Sequence, residues 1–263
     1  MKNRIFNVLL VFTLVIVGIV CIPGVGVMAD DTNNYEIGVW WVNDYTPGTP
    51  LNYRDDSAVG FYDRLVDAGW NGTYCLGDYS VYETHFKKIG EDNGNDDDYT
   101  DAMDIVYYAG HGWTGQEDSN AYCPYINTMH DNRYIEYFEC EWGDVDLEWI
   151  MLDCCYVLDA ASRYLWHGAM DGLHLICGVQ GLVEEEDNGV HVSDLLIDDG
   201  LLDWARTIKT SWFSGMDYNN GSGIVLAVMG ETSDCGDDYI WGQGTVCSDP
   251  VHDSTSVTWT YTC

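Results

Sequence analysis

The sequence predicts an α/β fold built on a mostly parallel β-sheet with helices on both faces. Short apolar runs rich in β-branched and aromatic residues alternate with amphipathic stretches through most of the chain. That order is typical of buried parallel strands joined by helices. No repeat of fixed period and no linker divides the 263 residues. We therefore expect a single domain over residues 30–263.

The first part of the chain predicts two strands and two helices. Residues 35–42 (Tyr-Glu-Ile-Gly-Val-Trp-Trp-Val) form the first predicted strand, because β-branched and aromatic side chains fill the run. A helix is predicted over residues 57–68, where apolar residues recur at helical spacing and Ser57 can cap the first turn. A second strand (72–76), a short helix (82–89) and an acidic loop (91–98) follow.

Two buried strands form the centre of the predicted sheet, and each leads to a residue that can carry out chemistry. Residues 104–109 precede Gly110-His111-Gly112, and residues 147–153 end two positions before Cys155. If these strands are parallel neighbours, His111 and Cys155 emerge together at the carboxyl edge of the sheet. Open α/β sheets place their active sites at that edge.

The second part of the chain completes a predicted six-stranded sheet. Residues 173–179 (Leu-His-Leu-Ile-Cys-Gly-Val) and 224–229 (Ile-Val-Leu-Ala-Val-Met) are short apolar runs of strand type. Helices are predicted over residues 158–167 and 192–212. Alternation of apolar and polar residues over 256–261 predicts a C-terminal β extension.

The two central blocks resemble a known superfamily. The string Tyr107-Tyr108-Ala109-Gly110-His111-Gly112, followed by a strand ending Asp153-Cys154-Cys155, resembles the His-Gly and Asp-x-Cys blocks of caspase-like cysteine peptidases, which include caspases, metacaspases, legumains and gingipains. The resemblance implies a caspase-hemoglobinase-like fold and an exported prokaryotic branch of the superfamily.

The resemblance also implies roles for the site residues. Cys155 would be the nucleophile and His111 would protonate the leaving amine, while the amides of Gly112 and Cys155 would form the oxyanion hole. Asp153 would bind a basic substrate side chain, so that cleavage follows Arg or Lys. Strand alternation separates Cys154 from Cys155 and predicts that Cys154 is a core thiol. We also expect a helix to begin at Cys155 and its amino end to favour the thiolate.

The first 29 residues predict a secretory signal peptide. Lys2 and Arg4 precede the apolar run 8–20, and Val27-Met28-Ala29 is a small-residue cleavage site. We expect the mature chain to be secreted or held at the cell surface, without stable membrane insertion after cleavage. An uncleaved anchor is the alternative, because the apolar run is nearly long enough to span a bilayer.

The composition restricts partners and cofactors. A formal net charge of −34 repels nucleic acid, so we expect a protein or peptide substrate and no nucleic-acid partner. The histidines other than His111 show no His-x-x-x-His or Cys-x-x-Cys partner spacing, and we predict no metal site and no cofactor. Ca²⁺ at the oxygen-rich segment 92–101 is the alternative.

The ten cysteines favour an exported protein. Cys21 lies in the predicted signal peptide, and the odd number that remains fits several disulfide bonds plus one free nucleophile. The first predicted disulfide joins Cys235 to Cys247, and the second, on weaker grounds, joins Cys123 to Cys140.

Three functions follow in order of preference. The first is an exported cysteine endopeptidase, a hydrolase with a His111/Cys155 dyad. The second is a catalytically inactive extracellular binding domain of the same fold, which would use the segment 113–146. The third is carbohydrate binding by tryptophans that could line one face, namely Trp40, Trp41, Trp70, Trp113 and Trp142.

Overall fold

A computed structural model describes residues 35–46, 48–126, 132–198, 200 and 204–263. The predicted signal peptide, residues 1–29, lies outside the described residues. Among the residues that are described, no helix is long and apolar enough to cross a membrane.

The described chain contains nine strands and three α-helices. In chain order they are β1 (Glu36–Trp41), α1 (Arg54–Asp67), β2 (Asn71–Gly77), β3 (Ile105–Ala109), β4 (His111–Thr114), β5 (Tyr122–Tyr125), β6 (Trp149–Asp153), β7 (Leu175–Val179), α2 (Asn188–Leu196), α3 (Ile208–Asn219), β8 (Val225–Gly230) and β9 (Val257–Thr262). Short 3₁₀ helices lie at Asp78–Ser80, Glu83–His85, Asp96–Asp98, Tyr137–Glu139, Arg163–Ala169 and Asp234–Asp237.

A seven-stranded sheet in the order β2-β1-β3-β6-β7-β8-β9 forms the centre of the molecule. The five strands from β2 to β7 are parallel, whereas β8 runs antiparallel to β7 and β9 antiparallel to β8. The mostly parallel sheet of six predicted strands with a C-terminal β extension is therefore confirmed. β3 and β6 are neighbours in the middle of the sheet, as predicted.

The two faces of the sheet are covered by different kinds of helix. All three α-helices pack on one face, where Phe61 of α1, Val192 of α2 and Trp212 of α3 meet the same apolar side chains of the strands. On the opposite face, 3₁₀ helices and loops enclose a second core that includes Trp142 and Trp166. The predicted helices at 82–89 and 158–167 belong to this face. They are replaced by the 3₁₀ helices Glu83–His85 and Arg163–Ala169.

The predicted helix over residues 192–212 is two helices in the structure. The first of them, α2, ends at Leu196, because the next residue, Ile197, has extended backbone. The second helix, α3, begins at Ile208. Thr207 caps its amino end, because the Thr207 side chain accepts a hydrogen bond from the amide of Thr210. A Thr N-cap of this kind is a helix start signal. One continuous helix was predicted because apolar residues recur at helical spacing on both sides of this start.

Helix α1 begins at Arg54, three residues before the predicted start. Its amino end is capped from outside the helix, because the side-chain oxygen of Asn43 accepts the amide of Arg54 and Glu185 accepts the amide of Tyr53. Ser57 is therefore free of a capping role. It is buried within the helix, and this earlier start brings Arg54 to the carboxyl edge of the sheet.

Candidate active site at the carboxyl edge of the sheet

The two central strands bring the predicted site residues to one edge. Ala109 of β3 is paired in register with Asp153 of β6, and the amide of Gly110 donates to the carbonyl of Asp153 at 3.2 Å. His111 and Cys155 each follow this registered pair by two residues. The two sequence blocks therefore end side by side at the carboxyl edge.

Gly112 lies directly against the main chain of Cys155. A Cβ atom added at Gly112 would lie 1.9 Å from the carbonyl oxygen of Cys155 and 2.9 Å from its nitrogen. Contacts this short cannot be made by any residue with a side chain, so the approach of the two loops requires glycine here.

The amides of Gly112 and Cys155 are available to an external acceptor. Gly112 faces Pro124 across the β4–β5 ladder, and the amide of Gly115 donates to the carbonyl of Ala121 further along the same ladder. Since hydrogen-bonded and non-hydrogen-bonded pairs alternate in an antiparallel ladder, the Gly112 amide is directed away from β5. Within the described segments, no backbone carbonyl accepts the amide of Cys155. Two donors beside a thiol are what an oxyanion hole requires.

Cys155 is half-buried, and its environment does not favour a thiolate. Burial raises the pKa of the thiol from its ordinary value of 9.0, which outweighs the lowering by the Val183 amide and the charge of Arg54. The Val183 amide donates to Sγ at 3.5 Å. The expectation of a helix amino end at this point is wrong, because a turn follows Cys155 and Tyr156 has a φ of 62°.

His111 is held by the loop after β1. Its Nε2 lies 2.9 Å from the carbonyl oxygen of Thr49, so Nε2 carries the proton and donates it. Its own amide donates to the hydroxyl of Tyr45 at 2.8 Å, and the two rings lie 4.5 Å apart. In the described chain no hydrogen bond joins the imidazole to the Cys155 thiol, and each has its own backbone partner.

Sequence reasoning missed Tyr45 and Thr49. The carbonyl of Thr49 occupies the position of an orienting group for the histidine. A main-chain carbonyl can belong to any residue type, so no sequence signal identifies it in advance.

A pocket of about 400 Å³ opens beside His111. Its walls include the rings of Tyr45, Trp113, Tyr125 and Tyr134. Three of these side chains come from the β4–β5 hairpin and the segment that follows it. The long insertion after His111 thus provides most of the aromatic wall.

Asp153 is not accessible to a substrate. Its side chain is fully buried and pairs with Arg54 Nη1 at 2.7 Å, while Tyr107 donates to the same carboxylate at 3.0 Å and Asn188 at 3.2 Å. The carboxylate already has a basic partner from its own chain. The predicted role of Asp153 in binding a substrate Arg or Lys therefore does not fit this geometry.

Sequence reasoning also missed Arg54 and Asn188. They come from α1 and α2, and only the fold brings them to Asp153. Burial is the largest single influence on the pKa of Arg54 and lowers it, but Asp153, Tyr107 and Cys155 together raise this pKa above its ordinary value. The guanidinium therefore keeps its charge although it is buried.

Every cysteine of the described chain has a free thiol, so neither predicted disulfide is confirmed. Cys235 and Cys247 are brought together, with 2.9 Å between their sulfur atoms, which is longer than the ~2.05 Å of a disulfide bond. Cys123 and Cys140 are buried, and each thiol faces a carbonyl oxygen. Cys154 lies in the core, as strand alternation predicted.

The tryptophans do not form a carbohydrate-binding face. Trp40, Trp70 and Trp142 are buried in the two cores, and Trp41 is half-buried. Of the five, Trp113 alone is largely exposed, at 61%. One exposed ring gives no platform for a sugar, and the expectation of such a face is wrong.

Comparison with known proteins identifies a family model. The model described as "Domain of unknown function (DUF6345)" matches residues 39–263. No curated protein matches the sequence.

Solved structures of C11 cysteine proteases are similar to this chain at low identity. One is a secreted C11 protease from Bacteroides thetaiotaomicron in complex with an irreversible peptide inhibitor, with 9% identity, a TM-score of 0.38, and coverage of 75% of this chain and 66% of that one. Another is an inactive zymogen C11 protease from Parabacteroides distasonis, with 11% identity, a TM-score of 0.39, and coverage of 76% and 63%. The chain spans slightly less than two thirds of their length. The fold assignment above rests on the strand pairing of this chain itself.

Proposed function

We propose that this chain, which belongs to the DUF6345 family of domains of unknown function, is an exported caspase-like cysteine endopeptidase. Cys155 is its nucleophile and His111 its acid–base group. The observation that carries the proposal is the contact of Gly112 with the main chain of Cys155. This contact places the loop that carries His111 against the loop that carries Cys155, with the amides of Gly112 and Cys155 beside the thiol. It lies at the carboxyl edge of the sheet, where α/β enzymes have their active sites.

The proposed reaction starts from the thiol. Since Nε2 of His111 donates to Thr49, Nδ1 is the basic nitrogen of the neutral ring and accepts the thiol proton as Sγ attacks the peptide carbonyl. The amides of Gly112 and Cys155 stabilise the oxyanion. His111 then transfers the proton to the leaving amine, and water releases the acyl group from Cys155.

The proposed substrate is a peptide that enters beside the aromatic pocket. Asp153 is fully buried and already paired with Arg54, so the proposal does not use this carboxylate to assign cleavage to Arg or Lys. The rings of Trp113 and Tyr134 favour an apolar or aromatic side chain near the cleaved bond.

The test is hydrolysis of fluorogenic peptides by the mature chain, residues 30–263, with and without Ca²⁺. The peptides end in aromatic, aliphatic, basic or acidic residues. We expect turnover that is abolished in Cys155→Ala and His111→Ala. It should be retained in Cys75→Ala, which removes an exposed thiol on the edge strand β2. Loss of turnover in Cys75→Ala as well would contradict the assignment.

A second candidate, an inactive binding domain of the same fold, is favoured by the raised pKa of Cys155. Alkylation with iodoacetamide between pH 6 and pH 10 separates the two. A peptidase site should label Cys155 faster than Cys75, and the rate should fall when His111 is replaced by alanine. Equal rates for both thiols, with no turnover of any peptide by folded protein, would establish the inactive domain.

A further inference from the structure

A second cluster of reactive side chains lies at the opposite edge of the sheet from Cys155. His174 immediately precedes β7, Cys235 and Asp238 lie in and just after the 3₁₀ helix that follows β8, and Cys247 belongs to the segment leading to β9. One ligand atom from each of these four residues lies within 4.8 Å of all the others. Three separate segments of chain thus converge on one point.

Three of the four residues are buried, and Cys247 is half-buried. The side chains of His174 and Asp238 are 1% and 2% exposed, and Cys235 is fully buried. Two thiols, an imidazole and a carboxylate are costly to bury without partners. They are also the donor set that proteins use for zinc.

The distances between the four ligand atoms are close to those of a tetrahedral zinc site. In a tetrahedral zinc site with sulfur, nitrogen and oxygen ligands, the ligand atoms are about 3.3–3.8 Å apart. Cys247 Sγ lies 3.5 Å from His174 Nδ1 and 3.7 Å from Asp238 Oδ2. The two sulfur atoms are 2.9 Å apart and Nδ1 is 2.7 Å from Oδ2. These last two pairs need to separate by less than about 1 Å.

Neighbouring groups hold the ligands in orientation. The amide of Cys247 donates to Asp238 Oδ1 at 2.7 Å, which leaves Oδ2 directed at the cluster with Trp149 Nε1 at 3.2 Å. On the far side of the imidazole, His174 Nε2 is 3.5 Å from Asp249 Oδ1. A carboxylate behind a histidine is the usual outer partner of a metal-binding imidazole.

We propose that His174, Cys235, Asp238 and Cys247 bind a structural Zn²⁺ ion. Binding displaces the protons of the two thiols and of Nδ1 to solvent, and the four donors fill the tetrahedral shell. Such a closed site holds chain segments together and leaves no position for a substrate. The ion connects the amino end of β7 with the segment between β8 and β9, and it is independent of the peptidase proposal.

The test is metal binding by the mature chain, purified under reducing conditions, with Zn²⁺ and Co²⁺ as probes. We expect about one equivalent of Zn²⁺ per chain, and for Co²⁺ the visible bands of tetrahedral coordination with thiolate charge transfer. Cys247→Ser should weaken the charge-transfer band, whereas Cys75→Ser should leave it unchanged. Asp249→Asn, which keeps all four ligands, should reduce the affinity for Zn²⁺ by about 10–100-fold.

Two results would overturn the proposal. One is a thiol count without reductant that is two lower than the number of cysteines, with Cys235 and Cys247 joined in a peptide map, because a disulfide would then account for the pair. The other is a wild-type Co²⁺ spectrum without thiolate charge transfer. Both measurements use wild-type protein, so neither depends on a variant that fails to fold.

Discussion

Asp153 connects four elements through its carboxylate. Arg54 of α1 pairs with it directly, Tyr107 of β3 and Asn188 of α2 donate to it, and Ser57 of α1 lies 2.9 Å from the Tyr107 hydroxyl. Asp153 itself is the last residue of β6. A single buried acid thus fixes the relative positions of two strands and two helices directly below Cys155.

Replacing Arg54 by methionine removes the cation and leaves Asp153 buried without its partner. We expect Arg54→Met to lower the free energy of unfolding by about 3–5 kcal/mol, measured by urea denaturation. Arg64→Met is the matched control in the same helix. The Arg64–Asp194 pair has side chains that are 22% and 56% exposed, and its loss should cost less than about 1 kcal/mol. Equal costs for both variants would contradict the role given to Asp153.

Gly112→Ala tests the contact between the two loops. The new methyl group would collide with the carbonyl of Cys155, which is main chain and cannot rotate away. We expect a loss of about 1–3 kcal/mol in the free energy of unfolding, together with loss of peptide turnover. Gly168→Ala introduces the same group where no atom lies within 4 Å and should be close to neutral in stability and in turnover.

At the scale of elements, the strands were predictable and several helices were not. The runs that became β3 and β6 are apolar on both faces of the sheet, so composition alone marks them as buried. The segments 82–89 and 158–167 have helical spacing, but in the fold each must follow the surface of the second core, and they form only 3₁₀ turns.

The candidate active site and the proposed zinc site also differ in how far they could be predicted from the sequence. His111 and Cys155 were predictable because each lies two residues after a buried strand whose neighbour could be inferred. Arg54 reaches Asp153 from a different part of the chain, and His174 lies far from Cys235 and Cys247 in sequence. No local spacing signals either contact, since both depend on how the strands are ordered in the sheet.

The boundary between α2 and α3 gives a prediction at this scale. Thr207 caps α3 through its hydroxyl, so Thr207→Ala should lower the free energy of unfolding by about 1 kcal/mol. Thr207→Ser keeps the hydroxyl and should remain close to wild type. Urea denaturation of both variants measures the difference. An equal loss in the serine variant would show that the methyl group, and not the cap, stabilises the helix start.

For the whole molecule, buried acids set the dependence of stability on pH. Burial, together with the nearby acids Asp146 and Glu36, raises the pKa of Asp104 to about 8. Burial likewise raises the pKa of Asp96 to about 8, helped by Asp97 and Asp144. These carboxyl groups bind their protons more tightly in the folded chain than in the unfolded chain.

Their contribution to stability is therefore complete below pH 4 and is lost as the pH rises through about 8. We expect the urea midpoint to fall between pH 4 and pH 8, and we expect this slope to be smaller in Asp104→Asn. Asp67→Asn removes one acid at an exposed position and should leave the slope unchanged. A midpoint that rises over this range would contradict the assignment.

The strand order also determines how the chain reaches its folded state. β3 lies between β1 and β6, and its pairings join residue 37 to residue 105 and residue 105 to residue 149. Contacts between such distant parts of a chain form slowly, and unpaired apolar strands are prone to aggregate in the meantime. A net charge of −34 makes unfinished chains repel one another. The acidic composition thus protects the protein during folding as well as after it.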